Sequence, residues 1–570
     1  MHLQRLPAMR SRSRPARRGR RFRGRRHHLL AAGAALAILV SGCNIQIHSQ
    51  PDPSIGDDTM LIAADKGTPM FERNFNPFLR NARTAATYIY EPLIMSNPLD
   101  GKLTPWLASD WNLPNPQTIT MTIRDGVTWS DGEPMTVEDV RFTFDLIKKY
   151  PAMDMNGAWS RIDSIETQDN TITFHLKGAD APALSVLAKT LIVPEHIWSD
   201  VEHPDTWRNK HPVGTGPFTL GNFSPLRYTL DRNPEYWQAE NVQVEHLVLP
   251  ANAEELDLVT RGFDWAYSFI TDVDDTWGAA NEHNKHWFPP GGTISLLPNH
   301  DVEPFDDVNV RRGLSLALNK QKIADVATVG YMDAASQTGL LLPNQADLLP
   351  PDIPNQGVIE QDKDAAIKAF EKAGFSFENN TMYTPSGKEF SFAITTANGY
   401  TDWLRAVQEV RNELATIGID VTIDAPQAAA YQNTLTKGDY EVAIGGMGGG
   451  NYYQAFNTML SSDFYAPSGE TAQNNRIRFR SDQVDQLLAD YRSAVDEEKQ
   501  QRILRQLEHQ VYDKLPAIAM YYGGLWGLYN DGRFTGWPTA DNPYAPLQTY
   551  GSVPLLVLTH LRPVEEGDQP

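Results

Sequence analysis

The sequence predicts an α/β protein of several domains. Strand-like and helix-like stretches alternate along most of the chain without an internal repeat. That pattern belongs to layered α/β folds, not to a helical bundle or a β-sandwich. The chain has 570 residues, more than one hydrophobic core supports. An apolar run at 60–63 opens the globular part. Thr118–Ile123 alternates as a strand, and Arg124-Asp125-Gly126 turns the chain. Thr136 is a good N-cap, with Glu138 and Asp139 in the first turn of the helix it starts. Thr171–Leu176 alternates again. Lys363–Lys372 and residues 402–417 read as amphipathic helices closed by Gly374 and Gly418. Residues 419–423 read as a strand, and 482–515 as one or two long helices stopped by Pro516.

The N-terminus carries a different signal. Eleven arginines and no acidic residue precede an apolar run at 29–40, which ends in Ser41-Gly42-Cys43. Twelve apolar residues are too few to span a bilayer, which needs about 20. A basic segment, a short apolar segment and small residues before a cysteine resemble a bacterial lipoprotein signal peptide. Residues 1–42 would then be removed, Cys43 would carry the lipid, and 43–58, with Pro51 and Pro53, would form a flexible tether. The protein would work outside the cytoplasm, held at the membrane through that lipid. The formal charge of the whole chain is −21, and losing residues 1–42 makes it eleven units more negative. So acidic a body argues against nucleic-acid binding. Cys43 is the single cysteine, which excludes disulfides, a thiolate metal site and a cysteine nucleophile.

Four groups of residues, in order, resemble the family 5 extracellular solute-binding proteins of ABC importers. The first is Tyr90-Glu91-Pro92-Leu93 with Gly101, Pro105, Leu107-Ala108 and Trp111. The second runs from Arg124 through Trp129-Ser130-Asp131-Gly132 to Phe142-Thr143. The third is Gly214-Thr215-Gly216-Pro217-Phe218 with Asn233-Pro234-Glu235-Tyr236-Trp237. The fourth is Pro304-Phe305-Asp306-Asp307 with Val310-Arg311, Ala317 and Lys320. The resemblance implies a periplasmic-binding-protein fold of type II, a large three-domain Venus flytrap hinged between two lobes. Domain I would comprise 59–99, 214–300 and 528–570, domain II the insertion 100–213, and domain III 301–527. It further implies a monomer without cofactor or metal, binding ligand between domains I and III and serving a membrane permease.

Peptide-binding members often carry a Trp and an Asp where this chain reads Gly445-Gly446-Met447-Gly448-Gly449-Gly450-Asn451-Tyr452-Tyr453-Gln454. The missing acid, with neutral and aromatic residues in its place, favours an oligosaccharide of β-linked glucose or mannose over an oligopeptide. Asp463 and Glu470 are candidate substitutes for that acid. Pro467-Ser468-Gly469, Asn474-Asn475, Arg478, Asp485 and the stretch from Gly536-Trp537-Pro538 to Ala545 look like the oligosaccharide-binding branch. Candidate ligand contacts are Trp403, Asn451, Tyr452, Tyr453 and Trp526, with Trp277, Asn74 and Asn76 as weaker ones.

Catalytic readings find little support. The Gly run lacks the Gly-Lys-Ser/Thr of a phosphate loop, and no Gly-x-Ser-x-Gly elbow occurs. His283 and His286 lack a third zinc ligand nearby. A secreted glycoside hydrolase, needing two carboxylates across a cleft, is the rival class, and the expectation is a binding protein without catalysis.

Overall fold

The computed structural model describes residues 56–65, 68–251, 255–449 and 451–564. Cys43, the arginine-rich segment and nearly all of the expected tether lie outside them.

Three sheets organise the chain. The largest has seven strands in the order Asn284–Trp287, Gly527–Asn530, Trp265–Tyr267, Thr59–Ala63, His246–Pro250, Arg227–Arg232 and Phe218–Ser224. The opening strand is parallel to both of its neighbours. Its residues alternate between two cores, Met60 and Ile62 in one and Leu61 and Ala63 in the other. A strand covered on both faces reads as an unbroken apolar run, which is why 60–63 stood out.

A four-stranded antiparallel sheet runs in the order Ala108–Asn115, Thr118–Ile123, Thr171–Leu176, Ile162–Gln168. Its inward residues, including Ile119, Met121 and Phe174, belong to the same core as Met60 and Ile62. The helix Val137–Lys149 starts at Thr136 with a complete capping box closed by Asp139.

The five-stranded sheet runs in the order Asp420–Asp424, Ser391–Thr395, Val442–Met447, Pro290–Pro298, Ile518–Gly524. One face meets the core of Ile394, Ile444 and Met520, the other that of Ala443, Met447 and Tyr522. The strand Pro290–Pro298 differs from the division drawn at residue 300. It pairs antiparallel with Val442–Met447 and Ile518–Gly524, so its backbone hydrogen bonds tie it to this sheet. The chain passes between the large sheets at 288–289 and again at 525–526.

The signature segments are packing devices. Glu91 is fully buried, and its Oε1 accepts from Trp106 Nε1 (2.6 Å), Tyr236 Oη (3.0 Å) and Trp237 Nε1 (3.2 Å). One carboxyl thus joins the first and third groups. Gly214 and Gly216 pass so close to the end of the helix Ala86–Ile89 that a Cβ would lie 2.0 Å from Ile89 O and 2.5 Å from Tyr88 O. Asp307 caps the helix Val308–Ala317, and buried Arg311 donates to the carbonyls of Phe305, Asp306, Lys514 and Leu515.

Candidate functional site

Ser391–Thr395 and Val442–Met447 are parallel neighbours, so their carboxyl ends open on the same edge of the five-stranded sheet. Crevices at such ends are the usual binding places of open α/β sheets. Here the edge holds a chamber of about 550 Å³, lined by Trp403, Tyr431, residues 445–449, Asn451, Gln454 and the segment 473–477. Trp403 lies near the start of the helix Thr401–Ala415. It is half-buried, with its ring 5.0 Å from Tyr400 and 6.0 Å from Tyr431. The Tyr431 hydroxyl donates to Ile444 O, which fixes that ring against the strand.

The Gly run shapes the wall. A Cβ on Gly445 would meet Leu297 Cδ1 at 2.6 Å, so that residue is small for packing. Gly446 is exposed, and the nearest atom to an added Cβ is Thr293 O at 4.0 Å. Gly448 and Gly449 turn the chain with φ of 89° and 146°, conformations that favour glycine. Asn451 then caps the helix Tyr452–Leu460, accepting from Gln454 N at 2.9 Å.

Arg476 is the one charged residue of the lining, and it donates to Gln432 Oε1 and Gln473 O. Asp463, which pairs with Arg492 at 3.6 Å, and Glu470 do not line the chamber. The remaining polar lining consists of amides, hydroxyls and backbone. Such groups bond hydroxyl-rich ligands and provide no countercharge for an ammonium.

Of the expected contacts, the structure brings Trp403 and Asn451 together. Tyr452 and Tyr453 lie beneath the wall. Tyr452 donates to Thr338 O at 2.5 Å, and Tyr453 stacks on Tyr491 at 4.4 Å, both rings buried. Trp526 sits at the second crossover, half-buried between Phe269 (4.6 Å) and Phe288 (5.0 Å). The weaker candidates lie away from the chamber. Trp277 is fully buried in the core beside the seven-stranded sheet and donates to Lys285 O at 2.9 Å. Asn74 and Asn76 are fully buried turn formers. Asn74 bonds Asn81 and Asn76 N, and Asn76 reaches the carbonyls of Pro204 and Trp207. Both amides are thus engaged within the protein, partly by the turn and partly by the distant segment 204–207.

Of the stretches read as an oligosaccharide signature, Asn474-Asn475 lie in the chamber lining, whereas Arg478, Asp485 and Trp537 are engaged within the protein. Arg478 is fully buried, and its guanidinium donates to the carbonyls of Leu435, Thr436, Glu470 and Arg476. Asp485 accepts from Ser462 N, and Trp537 donates to Phe534 O. Tyr431 was not among the expected contacts. It lies inside the helix Ala428–Lys437, and helical spacing alone does not show which face meets a cleft. His283 pairs with Asp531 and His286 with Asp274. Among the described residues, no group of three or more His, Cys, Asp or Glu is placed to hold a metal.

Residues 102–469 match the family of bacterial extracellular solute-binding proteins, family 5. The chain belongs to that family, the substrate-binding components of ABC importers, which act outside the cytoplasm with a membrane permease. It has the type II periplasmic-binding-protein fold. It is similar to an oligopeptide ABC transporter periplasmic binding protein of Thermotoga maritima, 24% identical, with a TM-score of 0.77 over 89% of this chain and 99% of that one. A mannohexaose-bound structure of that Thermotoga protein superposes with a TM-score of 0.69, at 24% identity over 90% and 99% of the two chains. A Brucella ovis protein provisionally described as an ABC transporter peptide-binding protein is 23% identical, over 84% of this chain and 90% of its own length. No helix among the described residues is long and apolar enough to cross a membrane.

Proposed function

We propose that this chain is the lipid-anchored capture component of its importer and that its cargo is a neutral β-linked gluco- or manno-oligosaccharide. One observation carries the cargo reading: the chamber at the sheet edge combines Trp403 and Tyr431 with amides and bare glycine backbone, and no carboxylate lines it. Sugar C–H faces lie on aromatic rings while hydroxyls bond amides and backbone. The mannohexaose-bound relative supports the same cargo. Capture works by closure of the lobes, with ligand favouring the closed state, and involves no bond cleavage. The protein acts as a monomer, divided into domains as the resemblance implies, with Pro290–Pro298 moved to domain III.

A thermal-shift panel tests the cargo, because stabilisation tracks ligand concentration over Kd. Oligosaccharides are expected to shift the transition. A shift with oligopeptides and none with sugars replaces the cargo with peptide, the reading that the description of the Brucella relative favours. Anchoring rests on Cys43, and Cys43→Ser is expected to move the protein from the membrane to the soluble fraction. Retention at the membrane would refute that anchor.

A further inference from the structure

The body built on the four-stranded sheet meets the body built on the five-stranded sheet at a place that involves neither crossover. Ala181 N, just beyond the strand Thr171–Leu176, donates to Arg492 O at 2.9 Å. Arg492 ends the helix Asp482–Arg492, whose Val484 and Leu488 belong to a core of the five-stranded sheet. The last carbonyls of a helix have no partner within it, and here one is taken by a residue of the other body. The loop that supplies the donor is held in place, with Asp180 N donating to Pro116 O at 2.8 Å and Ala183 N to Asp180 O at 2.9 Å.

Around this bond the seam is polar and incompletely matched. Asp180 pairs with Arg161 through Oδ2. Its Oδ1 is enclosed and has no hydrogen-bond partner among the described residues. From the other body comes Tyr453, 3% exposed and stacked on Tyr491, the neighbour of Arg492. Its hydroxyl is also enclosed and unpartnered. Burial raises the Tyr453 pKa, and the charges acting on it include Arg492 of its own body and Asp180 and Arg161 of the other. The phenol therefore faces the seam. A main-chain hydrogen bond exchanges with water at little net gain, whereas a polar atom shut in without a partner costs free energy.

We infer that this seam is a counterweight to closure. It forms as the lobes shut, and the stranded Tyr453 hydroxyl and Asp180 oxygen bias the ligand-free protein towards the open state. The inference rests on the proposed capture by closure and adds the residues that set its balance. Tyr453 begins the helix Tyr452–Leu460 beside its cap Asn451, which lines the ligand chamber, so chamber and seam share one helical turn. Ligand affinity scales with the fraction of the competent state, and Tyr453 thus acts on binding without touching ligand.

The test uses the full chain with Cys43→Ser, and with Ala179→Cys and Ser493→Cys flanking the bond. A short bis-maleimide traps the closed state, so its rate in the ligand-free chain follows the closed fraction. Tyr453→Phe removes the stranded hydroxyl and is expected to raise that rate about tenfold. Tyr491→Phe is expected to leave it unchanged. Without the added cysteines, calorimetry with mannohexaose and with a tetrapeptide pool should show Tyr453→Phe tightening whichever probe binds by the same factor. A trapping rate that Tyr453→Phe leaves unchanged or lowers, or that Tyr491→Phe raises equally, overturns the inference and leaves the capture function standing. A rate that a bound probe does not raise overturns capture by closure beneath it. Absence of binding by both probes overturns the cargo reading, and the ligand-free trapping rates still decide the seam.

Discussion

Glu91 should make the protein lose stability as pH rises through neutrality. Its carboxyl is fully buried. Desolvation pushes its pKa up to about 7 from 4.5, outweighing the nearby donors of Thr215, Tyr236, Trp106 and Trp237 that favour the anion. Between those two values the folded protein holds a proton that the unfolded chain has released, so stability falls as pH increases. The contribution is fully present below about pH 4.5 and is lost as pH rises through about 7. At 1.36 kcal/mol per unit it is on the order of 3 kcal/mol. Glu91→Gln keeps an oxygen for the three donors and cannot ionise. Its amide nitrogen enters a buried place where Oε2 now has no partner, at a pH-independent cost of about 1–3 kcal/mol. Urea unfolding of both proteins between about pH 5 and 8 reads the difference. The variant should be weaker at acid pH and draw level with, or pass, the wild type at alkaline pH. A gap constant across the range would refute the reasoning.

Lys320 gives the mirror case. Its amine is buried, donates to Ser315 O, Ser315 Oγ and Ile359 O, and has its pKa lowered to about 7 by desolvation. The unfolded chain binds the extra proton above that value, so stability grows from about pH 7 towards the ordinary lysine range, and Lys320→Met should flatten the growth in alkaline urea titrations. Trp403→Ala should weaken oligosaccharide binding about tenfold, roughly 1.4 kcal/mol, with folding retained. Unchanged affinity would assign that ring to packing. Gly446→Val should fold, because an added Cβ meets nothing nearer than Thr293 O at 4.0 Å, yet lose binding by filling the chamber; Gly445→Val should instead destabilise the protein through Leu297. Thermal unfolding beside ligand titration separates the two.

Elements with local signals were legible in the sequence. Lys363–Lys372 has the expected bounds, and 482–515 divides into Asp482–Arg492 and Glu497–Lys514. Thr136 caps as its spacing suggested, because capping is decided within one turn. Tertiary facts were less legible. Pro290–Pro298 belongs to the five-stranded sheet through pairing with residues far along the chain. Trp277 stood in a polar loop sequence, yet the chain folds its ring into a core and supplies Lys285 O to its nitrogen. Sequence shows that an aromatic is present and leaves open which way it faces. That Trp403 and Asn451 border one chamber follows from a local mark, since each sits at a helix start following a strand of the parallel pair. Tyr431, inside a helix, carried no such mark.

Calorimetric titration of the protein with neutral manno- and gluco-oligosaccharides, beside tetrapeptides, tests the cargo reading most directly. Saturable binding of an oligosaccharide that is recovered intact, abolished or strongly weakened by Gly446→Val, is the predicted result. Saturable binding of peptides with none of any oligosaccharide, or recovery of shortened sugars, would contradict it.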